Sequence, residues 1–299
     1  GTDLTWIGAR FTIDAESVNV SIHPVTWGEV LRTAREFLSS NIIPLRRLRR
    51  FAGQCSFISG LIWTWRPFLA DIWAAIEKTT RKTQQQKKTK KPRPSGPKNC
   101  CWTKQVRTAL SWLILFLTTR SESMSKAYFS RPMGEDADRI EVATDACTTG
   151  IGGTLTINGI IIAVFSDFLH DRDVAFFGYA RGDAAGQQCW ETLSLLVALR
   201  LWSSHWSARR CVLKVRGDSI AALTALGSLR SKGFCLPFLA REFAFDLGSA
   251  LYKPDVLTHT PGIANDVPDL LSRRWETAPP TAVPGELLTV HVQPPARDK

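Results

Sequence analysis

The spacing of apolar and polar residues changes along the chain, and these changes predict the order of its secondary-structure elements. Residues 6–22 alternate apolar and polar side chains around a polar break at 14–17, which predicts a β-hairpin. From Thr26 onward, and again after Pro44, apolar residues recur at helical spacing. The first part of the chain is therefore expected to be mainly helical after an initial hairpin.

A different pattern begins near residue 139. Three strands are predicted there, and Asn158-Gly159 between the second and third is a strong signal for a tight hairpin turn. The predicted elements are strands at 139–145, 150–157 and 160–165, a helix at 184–202, a strand at 211–215, helices at 220–229 and 236–250, a strand at 255–258 and a helix at 265–273. This order predicts an α/β layered domain.

The positive charge lies entirely in the first part of the chain. The formal net charge is +11; residues 1–138 contain 22 Lys/Arg and 11 Asp/Glu, whereas residues 139–299 contain 16 of each. A basic surface of this kind is typical of polyanion binding, although a solvated charge excess explains the composition as well. Arg46, Arg49 and Arg50 lie near a predicted helix start, where positive charge is unfavourable without an anionic partner.

Cysteine usage and hydropathy bear on the compartment. The seven cysteines are an odd number scattered through apolar stretches, which favours reduced thiols in an intracellular compartment and argues against a zinc site. The longest strongly apolar run, residues 112–117, is too short to span a bilayer, and the N-terminus has no signal-peptide pattern. No membrane association is expected, and cytoplasm and nucleus remain alternatives.

Four acidic residues stand at positions where α/β domains build their sites. Asp145 and Asp218 end predicted strands, Glu191 lies on the long predicted helix and Asp269 on the final one. Each is flanked by apolar residues, and a carboxylate beside a core needs a partner. A hard divalent cation would satisfy all four, although any one of them alone is more often a helix cap or a surface charge.

The sequences around these acids resemble the ribonuclease H domains of reverse transcriptases. Residues 143–153, Ala-Thr-Asp-Ala-Cys-Thr-Thr-Gly-Ile-Gly-Gly, resemble the family's first strand and glycine-rich turn. Residues 188–193 resemble its glutamate helix, and 216–219 its third acidic motif. The most specific match is residues 259–273, with a histidine, an asparagine, an aspartate and a Leu-Ser-Arg ending. The resemblance implies a ribonuclease H-like mixed five-stranded sheet flanked by helices.

A less specific resemblance extends upstream, to the thumb and connection of retrotransposon-type reverse transcriptases. No Asp-Asp dipeptide occurs in the sequence, so the paired aspartates of a polymerase site are missing, and the chain resembles the C-terminal part of such an enzyme. The implied organisation is a palm-end hairpin (1–25), a helical thumb-like region (26–80), a basic linker (81–98), a connection (99–138), the ribonuclease H-like domain (139–275) and a tail (276–299).

The resemblance also implies a chemistry and a substrate. Two Mg²⁺ ions, with Mn²⁺ as a substitute, would hydrolyse the RNA strand of an RNA·DNA hybrid during reverse transcription of a retroelement. Asp145 would bridge both ions, Glu191 and Asp218 would hold the one nearer the leaving group, and Asp269 the one that activates water. His259 would shuttle protons, although its position also suits an ordinary surface histidine.

Other residues are assigned to substrate binding on the same basis. Gln188, Ser219 and Asn265, with the backbone around Thr148, match positions that contact sugar or the minor groove. The basic first part, with Arg46, Arg49 and Arg50, would bind phosphates of the hybrid, and the palm and fingers of the same polyprotein are the expected protein partner. A further polymerase activity is not expected.

Two departures from the family pattern predict local differences. The 46 residues from Asp145 to Glu191 are a long interval, which predicts an enlarged loop around 168–183. Pro268 stands before the last aspartate, so the final helix is expected to begin nearby. Two rival functions stay open: a nucleic-acid-binding connection module without activity, and another nuclease of the same fold.

Overall fold

The computed structural model describes residues 2–6, 9–15, 17–89, 99–119, 125–129, 137–206, 211–231, 233–279 and 281–297. The chain divides into two compact units, Gly1–Arg131 and Pro132–Lys299, which are described separately. Among the described residues, none of the helices has both the length and the apolar character that a bilayer crossing requires. All seven cysteines are free thiols.

The described part of the first unit combines a four-stranded antiparallel sheet and a separate two-stranded one with four helices. Its strands are β1 (Thr2–Trp6), β2 (Ala9–Ile13), β3 (Ser17–Ile22), β4 (Ile42–Pro44), β5 (Cys100–Trp102) and β6 (Ser125–Phe129); its helices are α1 (Pro24–Ser39), α2 (Leu45–Leu61), α3 (Arg66–Thr89) and α4 (Arg107–Thr119). The larger sheet has the order β1-β2-β3-β6, and the smaller one is β4-β5. The predicted hairpin is confirmed as β2 and β3. Its turn is closed by Asp14, which accepts hydrogen bonds from the backbone N–H (2.6 Å) and hydroxyl (2.8 Å) of Ser17.

The core of the first unit lies between the apolar faces of its helices. Phe37 of α1 contacts Phe51 of α2 edge to face at 5.3 Å, and Phe68 of α3 contacts Phe116 of α4 at 5.3 Å. All four rings are buried. The helical periodicity after Thr26 and Pro44 therefore identified the core-facing sides of α1 and α2.

Two strands of the first unit were not predicted from the sequence. They are β5 and β6, which lie with α4 in the stretch interpreted as a connection, residues 99–138. β5 pairs with β4, and β6 pairs with β3. Both pairings join segments far apart in sequence, so no local pattern indicates them.

Helix α3 extends into the stretch interpreted as a basic linker. Residues 81–89 are helical, whereas residues 90–98 lie outside the described part of the chain. Lys and Gln are good helix formers, and Arg81 pairs with Glu77 one turn earlier on α3. Helix-forming residues therefore carry α3 to Thr89, the last described residue before this gap.

The second unit is built on a mixed five-stranded sheet. Its strands are β7 (Asp138–Ala146), β8 (Gly150–Ile157), β9 (Ile160–Phe168), β10 (Cys211–Gly217) and β11 (Val256–His259); its helices are α5 (Asp171–Phe177), α6 (Gln187–Leu201), α7 (Ile220–Ser228), α8 (Leu236–Gly248), α9 (Asp266–Ser272) and α10 (Gly285–Thr289). The order is β11-β10-β7-β8-β9. β7, β8 and β9 form an antiparallel meander, and β10 runs parallel to both β7 and β11.

The predicted fold class, a ribonuclease H-like α/β sheet flanked by helices, is confirmed by this arrangement. The turn between β8 and β9 has Asn158 and Gly159 at φ 51° and 88°, the left-handed conformations that the sequence pair predicts. The region predicted as an enlarged loop contains α5, which ends at Gly178 with φ 72°.

Glycines on β8 allow helix α9 to lie directly against the sheet. A Cβ atom at Gly152 would lie 2.5 Å from the backbone nitrogen of Ser272 and 2.7 Å from the carbonyl carbon of Leu271. Leu271 and Ser272 are both fully buried. The glycine-rich strand therefore sets the position of α9, which carries Asp269.

The segment interpreted as a tail packs along β9. Val164 of β9 donates a backbone hydrogen bond to Val290 (3.0 Å) and accepts one from Val292 (2.8 Å). Arg297 forms ion pairs with Asp167 (2.6 Å) and Asp173 (2.7 Å), two almost completely buried aspartates. These partners are more than 120 residues away in sequence, so the local pattern gave no sign of the contact.

Replacing Arg297 is expected to destabilise the second unit. Arg297→Ala leaves Asp167 and Asp173 buried beside each other without their cation, and we expect a loss of about 2 kcal/mol in the free energy of unfolding, somewhat less than for a completely buried pair. Urea denaturation measures this loss. Arg81→Ala, which breaks an exposed ion pair with Glu77, should change stability by no more than about 0.5 kcal/mol. Equal effects of the two substitutions would contradict the buried-pair argument.

Candidate metal centre

Asp145 lies at the centre of the sheet, near the end of β7. It is 5 % exposed and pairs with Gly152 of β8, so a carboxylate is held among strands with little access to water. The hydroxyl of Ser272 donates a hydrogen bond to its Oδ2 at 2.8 Å. The central strand and α9 thus fix the position of this carboxylate.

Two further carboxylates converge on Asp145. Glu191 lies in the second turn of α6, a helix whose residues 189–199 are all buried, and Asp218 directly follows β10, which runs parallel to β7. One carboxylate oxygen of each of the three residues lies within 4.8 Å of the others. Parallel neighbouring strands and the helix that crosses them therefore form a compact cluster of negative charge.

Burial and mutual repulsion raise the proton affinity of this cluster. Burial, followed by repulsion from Asp145 and Asp218, raises the pKa of Glu191 to about 9. Burial also raises the pKa of Asp145 to about 7; the hydrogen bond from Ser272 opposes this rise, while Asp218 and Asp269 add to it. The raised pKa values of Glu191 and Asp145 show that these two buried carboxylates are stabilised by a proton or by a nearby cation.

The donor set fits a hard divalent cation. All three groups offer carboxylate oxygen, the ligand that Mg²⁺ and Mn²⁺ prefer. The Oδ1 atom of Asp218 is buried and has no hydrogen-bond partner among the described residues. No ion pair within the described ranges joins these three carboxylates to a lysine or arginine. A buried carboxylate oxygen that accepts no hydrogen bond is free to act as a ligand for a metal ion.

Asp269 is not one of the three clustered acids, although its charge adds to the raised pKa of Asp145. Its Oδ1 accepts a hydrogen bond from Nε of Arg273 at 2.7 Å, one turn later on the chain, and its side chain is 41 % exposed. It lies in the first turn of α9, just after Pro268, close to where that helix was predicted to begin. The prediction of four convergent acids therefore stays a prediction for Asp269, since the structure groups only Asp145, Glu191 and Asp218.

Several supporting residues were not singled out from the sequence. Nε2 of Gln187 donates hydrogen bonds to the carbonyl of Ala146 and to Oε1 of Glu191, the latter at 2.8 Å. The hydroxyl of Ser194 bonds the carbonyl oxygen of Asp145 at 2.9 Å. Ser272 belongs to the Leu-Ser-Arg ending noted above, so the sequence contained its signal, whereas Gln187 and Ser194 resemble ordinary polar residues on a helix.

His259 lies next to the cluster, at the end of β11. Its Nε2 is 3.0 Å from the carbonyl oxygen of Asp218, and the ring is exposed. Because β11 and β10 run parallel in register, with Gly217 opposite His259, the histidine and Asp218 reach the same end of the sheet. This contact places an exposed imidazole beside the acid centre.

The residues assigned to substrate contacts differ in their surroundings. Gln188 is exposed on α6, and Thr148 is half-buried in the turn after β7. Ser219 caps α7, where its side chain accepts a hydrogen bond from the N–H of Ala222. Asn265 is 2 % exposed and donates to the carbonyl of Thr144 at 3.0 Å, so it joins α9 to β7. Its Oδ1 atom is buried and has no hydrogen-bond partner among the described residues, and the substrate contact of Asn265 stays a prediction.

The predicted arginines lie on α2 of the first unit. Arg46, Arg49 and Arg50 are exposed, and Nη2 of Arg49 donates to the hydroxyl of Thr80 at 2.8 Å. Their neighbour Arg47 is held by Glu36 at 2.8 Å. The start of α2 contains no acidic residue in its first turn, so the positive charge there is only partly compensated.

Solved structures similar to the chain include ribonucleases H. RNase H1 from the halophilic archaeon Halobacterium salinarum aligns with 17 % identity and a TM-score of 0.34, covering 46 % of this chain and 96 % of that one. LC11-RNase H1, isolated from compost, aligns with 18 % identity and a TM-score of 0.33, covering 46 % and 92 %. The foamy viral protease-reverse transcriptase in complex with an RNA/DNA hybrid aligns with 12 % identity and a TM-score of 0.28, covering 94 % of this chain and 32 % of that one.

The sheet order β11-β10-β7-β8-β9 and the helices around it define the fold of the second unit. No protein family matches the sequence, and no curated protein matches it.

Proposed function

We propose that the second unit is a divalent-metal-dependent endoribonuclease that hydrolyses the RNA strand of RNA·DNA hybrids during reverse transcription of a retroelement. The observation that carries the proposal is the convergence of Asp145, Glu191 and Asp218 within 4.8 Å on a ribonuclease H-like sheet. The order of the four sequence motifs and the Leu-Ser-Arg ending support the retroelement class. The rival function, another nuclease of the same fold such as an integrase or a resolvase, is not supported by this ending.

The three clustered carboxylates would hold magnesium, with manganese as a substitute. When bound, two such ions would supply an activated water and stabilise charge on the entering and leaving oxygens of the phosphodiester. Asp145 would bridge the ions, and Glu191 and Asp218 would hold the one nearer the leaving group. Asp269, which forms an ion pair with Arg273 in the structure, would hold the ion that activates water.

The surrounding residues would position these acids and the substrate. Ser272 and Gln187 hold the carboxylates of Asp145 and Glu191 through the hydrogen bonds described above, which reduces the reorganisation needed for metal binding. His259 would move a proton at the leaving oxygen, since only histidine titrates near neutrality without perturbation. Gln188, Ser219 and the backbone at Thr148 would contact sugar hydroxyls.

The basic first unit would contribute affinity for the hybrid. Arg46, Arg49 and Arg50 would contact phosphates, so binding should weaken steeply with added salt. The palm and fingers of the same polyprotein would be the protein partner, because the paired aspartates of a polymerase are absent from the sequence.

The proposal is tested with a hybrid whose RNA and DNA strands carry different labels. The full chain with Mg²⁺ is expected to shorten the RNA strand only, to leave double-stranded DNA intact and to stop when a chelator is added. Asp145→Asn should yield no product while still binding the hybrid. Equal cleavage by both proteins, which would indicate a contaminating nuclease, or no cleavage by either with binding intact, which would indicate a binding module, would contradict the proposal.

A further inference from the structure

A cavity in the first unit is lined by residues that suit a nucleotide. It has a volume of about 250 Å³ and is lined by Asn41, Trp102, Thr103, Lys104 and Arg107. These residues come from the end of β5, the turn that follows it and the start of α4, with Asn41 just before β4. The cavity is therefore formed within one well-defined part of the unit, where β4 and β5 pair.

Trp102 supplies a flat apolar surface at the cavity. Its side chain is 45 % exposed, although a tryptophan is normally among the more buried residues. Its neighbour in the strand, Cys101, is fully buried, so the alternation of β5 directs Trp102 away from the core. An exposed indole at a cavity is the kind of surface on which a nucleobase stacks.

Two cations stand next to this indole. Lys104 and Arg107 are both exposed, and neither has an ion-pair partner among the residues that the structure describes. Arg107 begins α4, a helix of 13 residues with no acidic residue in its first turn, so the positive end of the helix adds to the two charges. Together they favour an anionic group such as a phosphate.

Thr103 gives an independent sign that a polar ligand is missing. It is 1 % exposed and lines the cavity, and its hydroxyl has no hydrogen-bond partner in the described part of the chain. Its backbone N–H is already used, in a bond of 3.0 Å to the carbonyl of Asn41. A buried hydroxyl without a partner is unfavourable, and a polar atom of a ligand in the cavity would satisfy it.

We propose that this cavity binds one nucleotide unit of a single-stranded nucleic acid. The base stacks on Trp102, the phosphate contacts Lys104 and Arg107, and Thr103 and Asn41 bond polar atoms of the base or sugar. The small volume suits one nucleotide, and the exposure of Trp102 and both cations lets the strand continue over the surface. A strand is favoured over a free nucleotide because residues 1–138 carry twice as many basic as acidic residues, which attracts a polyanion more strongly than a single phosphate.

The site is tested by binding of a short fluorescein-labelled oligodeoxythymidylate to the full chain in chelator, so that cleavage plays no part. Trp102→Ala is expected to weaken binding about tenfold, and Trp102→Phe to retain most of it, because stacking needs an aromatic face. The matched control is Trp73→Ala, which removes a similarly exposed tryptophan of the same unit, outside the cavity. Equal losses from Trp102→Ala and Trp73→Ala would overturn the proposal.

Three further measurements test the phosphate contact of Lys104, the hydroxyl of Thr103 and the choice between a strand and a free nucleotide. Lys104→Ala should lower the salt dependence of binding by about one counterion more than Lys78→Ala, an exposed lysine elsewhere on the unit. Thr103→Val keeps the shape of the side chain and should weaken binding a few-fold without lowering the melting temperature, because it removes an unpartnered buried hydroxyl. Full competition by thymidine monophosphate at the concentration where the unlabelled oligonucleotide competes would overturn the assignment to a strand.

Discussion

Glu191→Gln is expected to abolish metal-dependent cleavage and, at the same time, to stabilise the metal-free protein. The substitution removes one of three clustered carboxylates while preserving the size of the side chain, so cleavage should fall on the order of 10³-fold. Initial rates on the labelled hybrid with Mg²⁺ measure this loss. The gain in stability follows from the cost of keeping a buried carboxylate ionised.

The sign of the stability change follows from the raised pKa of Glu191. Burial, with the neighbouring Asp145 and Asp218, raises this pKa from its usual 4.5 to about 9. The folded chain therefore holds the proton more tightly than the unfolded chain, and stability falls as the pH rises from about 4.5 to about 9. Without metal, Glu191→Gln should remove this decline and gain on the order of 3 kcal/mol at pH 8. Urea denaturation in chelator at several pH values measures it.

A glutamate on the sheet, Glu141 of β7, provides a control of opposite sign. Burial acts to raise the pKa of Glu141, but hydrogen bonds from Lys214 and Arg216 outweigh burial, and the pKa is lowered. Glu141→Gln should therefore reduce stability at neutral pH without affecting cleavage. If Glu191→Gln also destabilised the metal-free protein at pH 8, the buried carboxylate of Glu191 would not carry the energetic cost that its raised pKa implies.

Gly152→Ala is expected to destabilise the second unit strongly. The added Cβ would lie 2.5 Å from the backbone nitrogen of Ser272, and backbone held on both sides by hydrogen bonds has little room to move. We expect a loss of roughly 3 kcal/mol or more in the free energy of unfolding. Because Ser272 also donates to Asp145, the variant that still folds should bind metal more weakly.

Gly217→Ala serves as the control for this steric argument. Its added Cβ would meet only Thr144, at 3.7 Å, which is ordinary van der Waals contact. Gly217 is also a strand residue at the same end of the sheet, so the two variants differ mainly in the space available. Similar denaturation midpoints for both variants would contradict the close approach of α9 to β8.

The sequence predicted those parts of the second unit whose signals are local. Asn158-Gly159 marked the turn between β8 and β9, and the alternating strands and periodic helices gave the order of the fold. The positions of Asp145, Glu191 and Asp218 near strand ends and on a buried helix made them candidates. Their predicted convergence also depended on the resemblance of the surrounding motifs to those of ribonuclease H domains.

The remaining features depend on contacts between distant segments. The sequence could not show that Arg273 pairs with Asp269, because arginine near the end of a helix is common for other reasons. The pairing of β4 with β5, and the buried bond from Asn265 to Thr144, likewise arise from tertiary packing. An unpartnered hydroxyl such as that of Thr103 is visible only once its surroundings are known.

The segment that follows α9 also affects how this protein would behave in concentrated solution. β9 is the last strand of its sheet, and an uncovered last strand offers free backbone groups to other molecules. The outward N–H of Val164 donates a hydrogen bond to the carbonyl of Val290, and its C=O accepts one from the N–H of Val292. The ring of His291 accepts a hydrogen bond from the N–H of Ser166. The opposite margin is β11, only four residues long. This segment thus covers the edge strand of the sheet, and its removal is expected to leave the backbone groups of β9 free to pair with other copies of the chain.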